Sequence, residues 1–570
     1  MKSFNFIKST YLKSNIISVL LKPGNIIKFI SILLILPMSI LYMACNQQDN
    51  ELGGMKGENE TNNPLFLSIK ISGPPTRSTT DNTKPGDSSD GIIEGEINEN
   101  KIESASVYFF DSATGETIHS FSVDNEFGKI EEKDDSNSSF NIITEVTEDL
   151  LKKLVGRNFN IYILANPISL PVFQDETTFL ATTINFTGLD ANPLRPFSTG
   201  TEGQLSPMAN VAKYTVADLA NYPKGDIISI QELKEVFREV FSVNYENGRL
   251  WKIGQNIPLQ LERQVARIDF KDVKNNGFIY PLSGGQCNAT GNTEVYLKIV
   301  SLQLFNVGKE SYTFRHTQPL ATSTGSEDGE IRPFGTEKGS APGFYNWIAD
   351  CDWSKKYSGS NSYSYFHQMS SSSGSDGKEQ WNFTPITPTT AYTTTAALKA
   401  WLNTNRKPSD EFAPWYYVTE NTLPSIDLMN IRFATGILFR VLVCNSLGNP
   451  LKVDNDGDLI ITMPEGVRTV LAKENAKTDP ANTSNILEPA GYYLTYKYLI
   501  EHNLEKTGSV NGSTGGKNSY APMQVGVVRN NVYRIKVEAI NTLPDPDFGM
   551  EVYSYVIPWE LRTDDNVLLK

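Results

Sequence analysis

The chain has 570 residues, 39% of them hydrophobic, and a formal net charge of −14. This acidic balance, without any cluster of Lys and Arg, excludes a nucleic-acid binder, because contacts to phosphate backbones require concentrated positive charge. The sequence also has no P-loop, no Gly-x-Ser-x-Gly elbow and no two histidines at a metal-ligand spacing, so we predict no enzymatic activity and no cofactor.

The N-terminus has the features of an export signal. Residues 1–28 contain five lysines and no acid, and residues 29–44 are apolar except for two serines. Such a segment is typical of a secretory signal and is too short for a membrane span, which needs about 20 residues. Cys45 follows the small residue Ala44, where bacteria attach lipid, so the pattern predicts a lipoprotein signal at 1–44 with Cys45 lipidated. An ordinary signal peptide with an incidental cysteine is the alternative. Removing residues 1–44 changes the net charge from −14 to −19.

A strand and a single arginine follow the leader. Residues 65–72 alternate, with their large aliphatic side chains on one face; these are Leu65, Leu67, Ile69 and Ile71. Arg77 is the first arginine of the chain and lies among Gly, Pro, Thr and Ser. A protease specific for arginine would therefore find one target, the bond between Arg77 and Ser78, ahead of the rest of the chain. A linker arginine without a role is the alternative.

Period-two alternation dominates the remaining chain. Strands rich in β-branched and aromatic residues are predicted at 105–110, 159–165, 265–270, 295–305, 436–444, 458–463 and 492–500. Apolar residues recur with the period of an α-helix in few places, and helices are predicted at 143–154, 230–241 and 395–404. We therefore expect a mainly β fold of two β-sandwich domains with a few short peripheral helices.

Composition changes suggest the limits of the domains. The helix-containing region ends near residue 258, which predicts an N-terminal domain at 78–258 and a C-terminal domain at 259–570. Residues 355–380 and 506–520 are rich in Ser, Gly, Tyr and Asn, so both are predicted to be exposed loops.

Two further features have competing interpretations. Cys287 and Cys351 lie in loop-like sequence and could form a disulfide, whereas an odd number of cysteines beyond Cys45 indicates no disulfide framework. The acidic segment around residues 454–458 has the hard oxygen ligands that calcium prefers; the candidates are Asp454, Asp456, Asp458 and Glu465. The glycine that a calcium loop needs at its sixth position is absent, and Asp-Gly between alternating runs favours a hairpin turn, so we predict no metal.

The C-terminal sequence carries the most specific pattern. Residues 527–535 lead through a Leu-Pro-Asp-Pro-Asp segment into 550–559, which alternates as Met-Glu-Val-Tyr-Ser-Tyr-Val-Ile-Pro-Trp. This resembles the closing segment of FimA/Mfa-type fimbrilins, the pilus subunits of Bacteroidales, and most closely their Mfa shaft subunits. Residues 65–77, 101–108 and 262–267 resemble, in order, the family's first strand with its arginine cleavage site, its next strand and the strand that opens its second domain.

The resemblance implies a mechanism. Family members are exported as lipoproteins, and an arginine-specific surface protease removes the leader with the first strand, here residues 45–77. The vacated groove accepts a strand from a neighbouring subunit, so the sandwiches, transthyretin-like or Greek-key in topology, are completed by strand exchange. Residues 552–559 have two apolar faces and are assigned to the subunit's own sheet. The tail is the predicted donor; its apolar residues are Leu561, Val567, Leu568 and Leu569.

The expected role is that of a structural subunit of a cell-surface fimbria, anchored to the outer membrane through lipid in its precursor form. Its partners would be further copies of itself, other fimbrial subunits, the protease and, for adhesion, host or bacterial surface ligands. An anchor or tip subunit of the same fimbria is one alternative. A monomeric surface lipoprotein that binds glycans through aromatic loops is another.

Overall fold

The computed structural model describes residues 65–72, 93–94, 102–124, 129–133, 139–185, 206–211, 213–222, 231–233, 240, 243–245, 248–256, 258–271, 277–291, 293–308, 310–319, 332–333, 346–351, 366–367, 371–373, 379–381, 392–394, 412–422, 434–479, 482–502, 526–544 and 551–560. All of these segments belong to one unit of the chain, Pro64–Lys570.

The first thirteen strands alternate with two short helices. They are β1 (Leu65–Ser72), β2 (Ile93–Glu94), β3 (Ala105–Asp111), β4 (Thr117–Val123), β5 (Lys129–Lys133), β6 (Ser139–Glu145), α1 (Glu148–Leu154), β7 (Phe159–Ala165), α2 (Glu176–Leu180), β8 (Thr183–Asn185), β9 (Met208–Asn210), β10 (Tyr214–Val216), β11 (Val243–Tyr245), β12 (Gly248–Ile253) and β13 (Leu259–Arg263).

The strands after residue 265 include several very short ones. They are β14 (Ala266–Lys271), β15 (Ile279–Cys287), β16 (Glu294–Phe305), β17 (Val307–Gly308), β18 (Glu310–Tyr312), β19 (His316–Pro319), β20 (Arg332–Pro333), β21 (Asn346–Ala349), β22 (Phe366–His367), β23 (Ser371–Ser373), β24 (Glu379–Trp381), β25 (Tyr392–Thr394), β26 (Phe412–Val418), β27 (Asn421–Thr422), β28 (Gly436–Cys444), β29 (Leu459–Thr462), β30 (Arg468–Leu471), β31 (Lys477–Asp479), β32 (Asn482–Glu488), β33 (Tyr492–Leu499), β34 (Gly526–Val527), β35 (Asn531–Ala539) and β36 (Glu551–Glu560).

Three large sheets organise these strands. An eleven-stranded sheet has the order β11-β12-β1-β13-β9-β7-β3-β4, with β10 beside β7 and the β5–β6 pair beside β1. A seven-stranded sheet has the order β30-β29-β15-β16-β28-β33, with β25 beside β16, and a five-stranded sheet has the order β2-β36-β35-β14-β26. The expectation of a mainly β protein with a few short helices is confirmed.

Two principal hydrophobic cores follow the two parts of the chain. One is built from side chains between Leu65 and Leu261, and the other from side chains between Ala266 and Leu543. Apolar positions alternate along β1, which directs one face into its core, whereas β7 and β28 are buried at every position. The domain boundary near residue 258 stays a prediction, although the division between the cores falls close to it.

A buried polar contact within the second part of the chain lies beside the strand pairing that connects the two parts. Arg529 and Glu420 have side chains that are fully buried, and Arg529 Nη2 lies 3.0 Å from Glu420 Oε2. The same guanidinium donates to Ser311 Oγ at 3.0 Å and to the carbonyl of Tyr312 at 2.8 Å. Strand β18, which carries both acceptors, pairs with β8 from the first part of the chain. A buried arginine is tolerated here because a carboxylate and several oxygens satisfy its donors.

The structure corrects the first predicted helix. Residues 143–154 were expected to be helical throughout, but β6 continues to Glu145 and α1 begins at Glu148. The side chain of Thr147 accepts a hydrogen bond from the Leu150 amide and caps the helix, while residues 139–145 pair with β1. Tertiary pairing has therefore overridden helical period in the first three residues. In the second predicted helix, residues 231–233 are helical. The third, 395–404, lies outside the described residues.

Other expectations concern loops and cysteines. The segment 355–380, predicted as a loop, contains the short strands β22 and β23 and the start of β24, so that prediction is wrong at these residues. Segment 506–520 lies outside the described residues. Cys287, Cys351 and Cys444, the described cysteines, are all thiols, so Cys287 and Cys351 are not bridged. Cys444 is buried, and burial raises the pKa of its thiol to about 12.

Candidate functional site

Strand β1 lies inside a sheet and is paired along both edges. On one side, residues 66–72 run antiparallel to β6, in register from Phe66 opposite Glu145 to Ser72 opposite Ser139. On the other side, residues 65–69 run parallel to β12, and Ile71 and Ser72 continue parallel to β13. We call the position between β6 on one side and β12 with β13 on the other the β1 slot.

The inward face of β1 contributes to the core of the first part of the chain. Leu65, Leu67, Ile69 and Ile71 are all 0% exposed and belong to one hydrophobic cluster. Some of their cross-strand neighbours are equally buried, for example Trp251 opposite Leu67 and Ile142 opposite Ile69. The alternation predicted from the sequence therefore corresponds to a strand whose four aliphatic side chains fill the slot.

The position of β1 gives it a topological role within the described sheet. There, β12 pairs with β11 and β1, while β6 pairs with β5 and β1. The six-stranded set containing β13, β9, β7, β10, β3 and β4 reaches β1 through β13. Removing β1 would divide the hydrogen-bonded sheet into two hairpins and this set, so the slot needs an occupant for the sheet to be continuous.

The energy associated with β1 is large. Burying an aliphatic side chain contributes about 1.5–3 kcal/mol, so the four together contribute on the order of 6–12 kcal/mol as an upper estimate. This matches the whole net stability of a typical domain, about 5–15 kcal/mol. An empty slot would also expose two rows of unpaired backbone groups. A processed chain would therefore gain considerably by accepting another strand.

The partners of β1 were not predicted from the sequence as the walls of a site. Residues 139–145 were partly assigned to a helix, and 248–253 were not identified as a strand, although Leu250, Trp251 and Ile253 are all apolar. The β-rich composition of 139–145, Ser-Phe-Asn-Ile-Ile-Thr-Glu, was the available signal for β6.

Several predicted site residues lie outside the described residues. These are Cys45, Arg77, Ser78, Leu561, Val567, Leu568 and Leu569. Along the sequence, Arg77 follows the last residue of β1, Ser72, by five positions.

The last described strand lies in a sheet of this chain, as predicted for residues 552–559. Strand β36 runs antiparallel to β35, from Asn531 opposite Pro558 to Ala539 opposite Glu551. On its other edge β2 pairs with Trp559 and Glu560. Among the described strands, none pairs with residues 551–558 along that second edge.

The acidic segment around residues 454–458 forms a turn. Residues 454–456 form a 3₁₀ turn in which Asn455 and Asp456 have positive φ. Asp454 Oδ1 accepts a hydrogen bond from Thr290 Oγ1 at 2.8 Å, and Asp456 is paired with Lys473. No group of three or more His, Cys, Asp or Glu side chains within the described segments could hold a metal ion. The turn is confirmed, but it closes no hairpin: β29 pairs with β15 and with β30.

Comparison with known proteins gives matches among solved structures alone. No protein-family model and no curated protein matches the chain. The chain is similar to a provisionally assigned cell adhesion protein of Parabacteroides distasonis, with 13% identity, a TM-score of 0.36 and coverage of 87% of this chain and 100% of that one. It is also similar to the FimA fimbrilin of Porphyromonas gingivalis, with 13% identity, a TM-score of 0.34 and coverage of 88% and 99%. It is similar as well to the tip fimbrial protein Mfa3 of Porphyromonas gingivalis, with 10% identity, a TM-score of 0.30 and coverage of 87% of this chain and 99% of that one.

These solved structures are fimbrial and cell-adhesion proteins of Bacteroidales, the class to which the sequence resemblance pointed. At this identity and TM-score the likeness carries no assignment of function. No helix among the described residues is long and apolar enough to cross a membrane.

Proposed function

We propose that this chain is a structural subunit of a cell-surface fimbria that polymerises by strand exchange. The observation that supports it most is β1, whose four aliphatic side chains are completely buried and which is paired on both edges. It precedes Arg77 by five residues in the sequence. A cut after Arg77 would separate the one strand that holds the eleven-stranded sheet together from the rest of the subunit. The chain has a structural role in this proposal and catalyses no reaction.

The precursor would be held in an inactive state by its own first strand. Export through the periplasm as a lipoprotein, with lipid on Cys45, would bring it to the outer membrane. While 45–77 remains attached, β1 fills the slot at a very high effective concentration, so a neighbour's strand cannot compete. Cleavage after Arg77 makes β1 a separate peptide, and its exchange for a tethered strand of the next subunit becomes possible. The product would be two sandwiches, transthyretin-like in topology, each chain completing the next.

Two C-terminal segments are candidates for the donor strand. The tail 561–570 is the proposed donor because β36 is already engaged with β35 over eight residue pairs. The slot, however, has four successive apolar positions. In the tail, Val567 and Leu569 alternate correctly, but the preceding position of that set is Asp565. Strand β36 alternates over four positions in its sequence, Tyr553, Tyr555, Ile557 and Trp559, and is the competing donor.

Blocking the cut tests the proposal. The variant Arg77→Ala should remain lipidated and monomeric because β1 stays in the slot. Arg77→Lys is the matched control, since it keeps the positive charge but not the arginine that the protease requires, and it should behave in the same way. Wild-type cells should yield ladders of multimers on gels of unboiled samples and a mature N-terminus at Ser78. Fibres that begin at Cys45, or fibres formed by Arg77→Ala, would contradict the proposal.

Lipid attachment at Cys45 can be tested separately. Metabolic labelling with palmitate should mark the wild-type precursor and not Cys45→Ala, which should also accumulate in the periplasm or be exported slowly. Equal labelling of both would mean that Cys45 is not the anchor. A monomeric adhesin, the alternative function, would give no ladder under any of these conditions and would bind an array of glycans.

A further inference from the structure

Most of the arginine side chains that the structure describes are shielded from solvent. The sequence has sixteen arginines, and the structure describes the side chains of nine. Four of these nine are buried: Arg263, Arg267, Arg440 and Arg529. Four more are half-buried: Arg157, Arg249, Arg315 and Arg534. Arg468 is the exposed member of the nine.

The buried arginines are held by specific partners. Arg267 donates through Nε and Nη2 to the carboxylate of Asp269, at 2.8 and 3.0 Å. Arg440 is paired with Glu474 and lies over the ring of Tyr493, with 4.2 Å between the guanidinium carbon and the ring centroid. Arg529 is bound by Glu420, as described above. The side chain of such an arginine cannot enter the specificity pocket of a protease unless these contacts break.

The backbone around most of them is also engaged. Six of the nine lie inside strands: Arg249, Arg263, Arg267, Arg440, Arg468 and Arg534. A protease binds its substrate as an extended segment through backbone hydrogen bonds, so a residue in a sheet is cleavable only after local unfolding. For Arg267 and Arg440 that unfolding would open the strands β14 and β28, which lie in the second core.

We infer that the fold protects eight of the nine described arginines from the arginine-specific protease proposed to process the chain, so that cleavage at these eight requires local unfolding. This inference rests on the proposed function, because it assumes that such a protease acts on the chain. The observations behind it are the burial or half-burial of eight of the nine described arginines and the position of six of the nine inside strands. Two other arginines, Arg195 and Arg332, are followed by proline; its ring disfavours cleavage at the preceding bond because it fixes φ and replaces the amide hydrogen.

Limited proteolysis of the full-length precursor tests the inference. The native protein is incubated with an arginine-specific endoprotease, and cuts are mapped by mass spectrometry, with a second sample unfolded in urea. Cleavage at each of the eight buried or half-buried arginines should be at least ~100-fold slower in the native sample than in the unfolded one. Arg468, exposed in the terminal strand β30, should be the first of the nine to be cut. Native cleavage at Arg263, Arg267 or Arg529 within tenfold of the unfolded rate would overturn the inference.

A positive control shows that accessibility is the deciding property. Val172 is 93% exposed in the irregular segment between β7 and α2, so Val172→Arg should create a new rapid cut in the native protein. The same change at the buried Val443 would disrupt the core and is not a suitable control. If Val172→Arg stays uncut while the unfolded sample is cut there, exposure does not govern cleavage and the inference fails.

The two proposals fail separately in this experiment. If the protected arginines and Arg77 all stay uncut in the native protein, the proposed processing step is wrong, while the inferred protection of the described arginines stands. If Arg77 is cut and the buried arginines are cut at similar rates, processing stands and the protection is wrong. Because each of the nine arginines is assessed individually, every result decides the inference.

Discussion

Leu67 lies opposite Trp251 in the parallel ladder between β1 and β12, and both side chains are completely buried in the same core. The contact joins a strand that precedes the predicted cleavage site to one that follows it by more than 170 residues. Under the proposed cleavage after Arg77, the two residues belong to one continuous chain only in the precursor.

This relationship gives a prediction that separates precursor from product. Leu67→Ala should destabilise the precursor by about 2–5 kcal/mol, because it leaves a cavity beside Trp251. The processed subunit loses residue 67, so fibres made from this variant should have the same stability as wild-type fibres. Urea unfolding of the precursor and thermal dissociation of the fibres measure the two quantities. Lys70→Ala, at a half-buried position of β1, is the control and should change the precursor little. Weakened fibres from Leu67→Ala would mean that residue 67 remains in the assembled protein.

Deletions at the C-terminus identify the donor. Removing 561–570 should abolish polymers while leaving a folded monomer, because the tail follows the last strand of the subunit's own sheet. Removing 551–560 instead should unfold the second part of the chain, since β36 pairs with β35 over eight positions. Circular dichroism distinguishes the two. Fibres from the first deletion would transfer the donor role to β36 or another segment.

Point substitutions in the tail refine the same prediction. Leu568→Asp and Leu569→Asp each place a carboxylate at a candidate donor position, and in an apolar slot its burial costs several kcal/mol. Both should weaken assembly, and the stronger effect identifies the face that enters the slot. Arg562→Gln is the control, because it alters the tail without adding a carboxylate to its apolar set. Equal polymer yields from all three variants would exclude the tail as the donor.

The buried pair between Arg529 and Glu420 should be essential for folding. Glu420→Gln removes the partner of a charge that is 0% exposed at its side chain, so we expect a loss of about 3–5 kcal/mol in the free energy of unfolding. The matched control is Glu148→Gln, which breaks an exposed pair with Lys152 and should change stability by less than about 1 kcal/mol. Similar effects of the two substitutions would contradict the structural role assigned to Arg529.

Acid should destabilise the subunit partly through one histidine. Burial lowers the pKa of His316 to about 4, and the nearby charge of Arg529 acts in the same direction, whereas the hydrogen bond to Phe314 O opposes it. The unfolded chain, with a histidine pKa near 6.5, takes up the proton first. His316 therefore does not change the free energy of unfolding above pH 6.5. As the pH decreases from 6.5 to 4, it lowers the free energy of unfolding by up to about 3 kcal/mol. The same urea titrations on His316→Gln should show a smaller slope over this range, and an unchanged slope would contradict the assignment.

The sequence was sufficient for elements that carry a strong local pattern. Strand β1 has the predicted limits of 65–72, and β28 those of 436–444, because alternating apolar residues mark the first and a nearly continuous apolar run marks the second. The sequence could not show which strands flank β1. Ile142 lies 73 residues from its neighbour Ile69 along the chain, and Trp251 lies 184 residues from Leu67, so no local period reports these pairings.

The polar contacts could not be predicted from the sequence for the same reason. Arg529 and Glu420 are separated by 109 residues, and neither has a neighbouring residue that marks it as buried. A charged residue is usually predicted on the surface, so burial of both could be recognised only once the fold had brought them together. The β6 strand was concealed by the apolar spacing that continues into α1, and its ladder with β1 decided its conformation.

The most direct test of strand exchange is the structure of the assembled fibre at a resolution that identifies side chains. We expect the β1 slot to hold a strand from the C-terminal sequence of a neighbouring subunit, with apolar side chains at the four positions of Leu65, Leu67, Ile69 and Ile71. Each chain should begin at Ser78. A slot filled by residues 65–72 of the same chain, or one left empty between intact subunits, would contradict strand exchange.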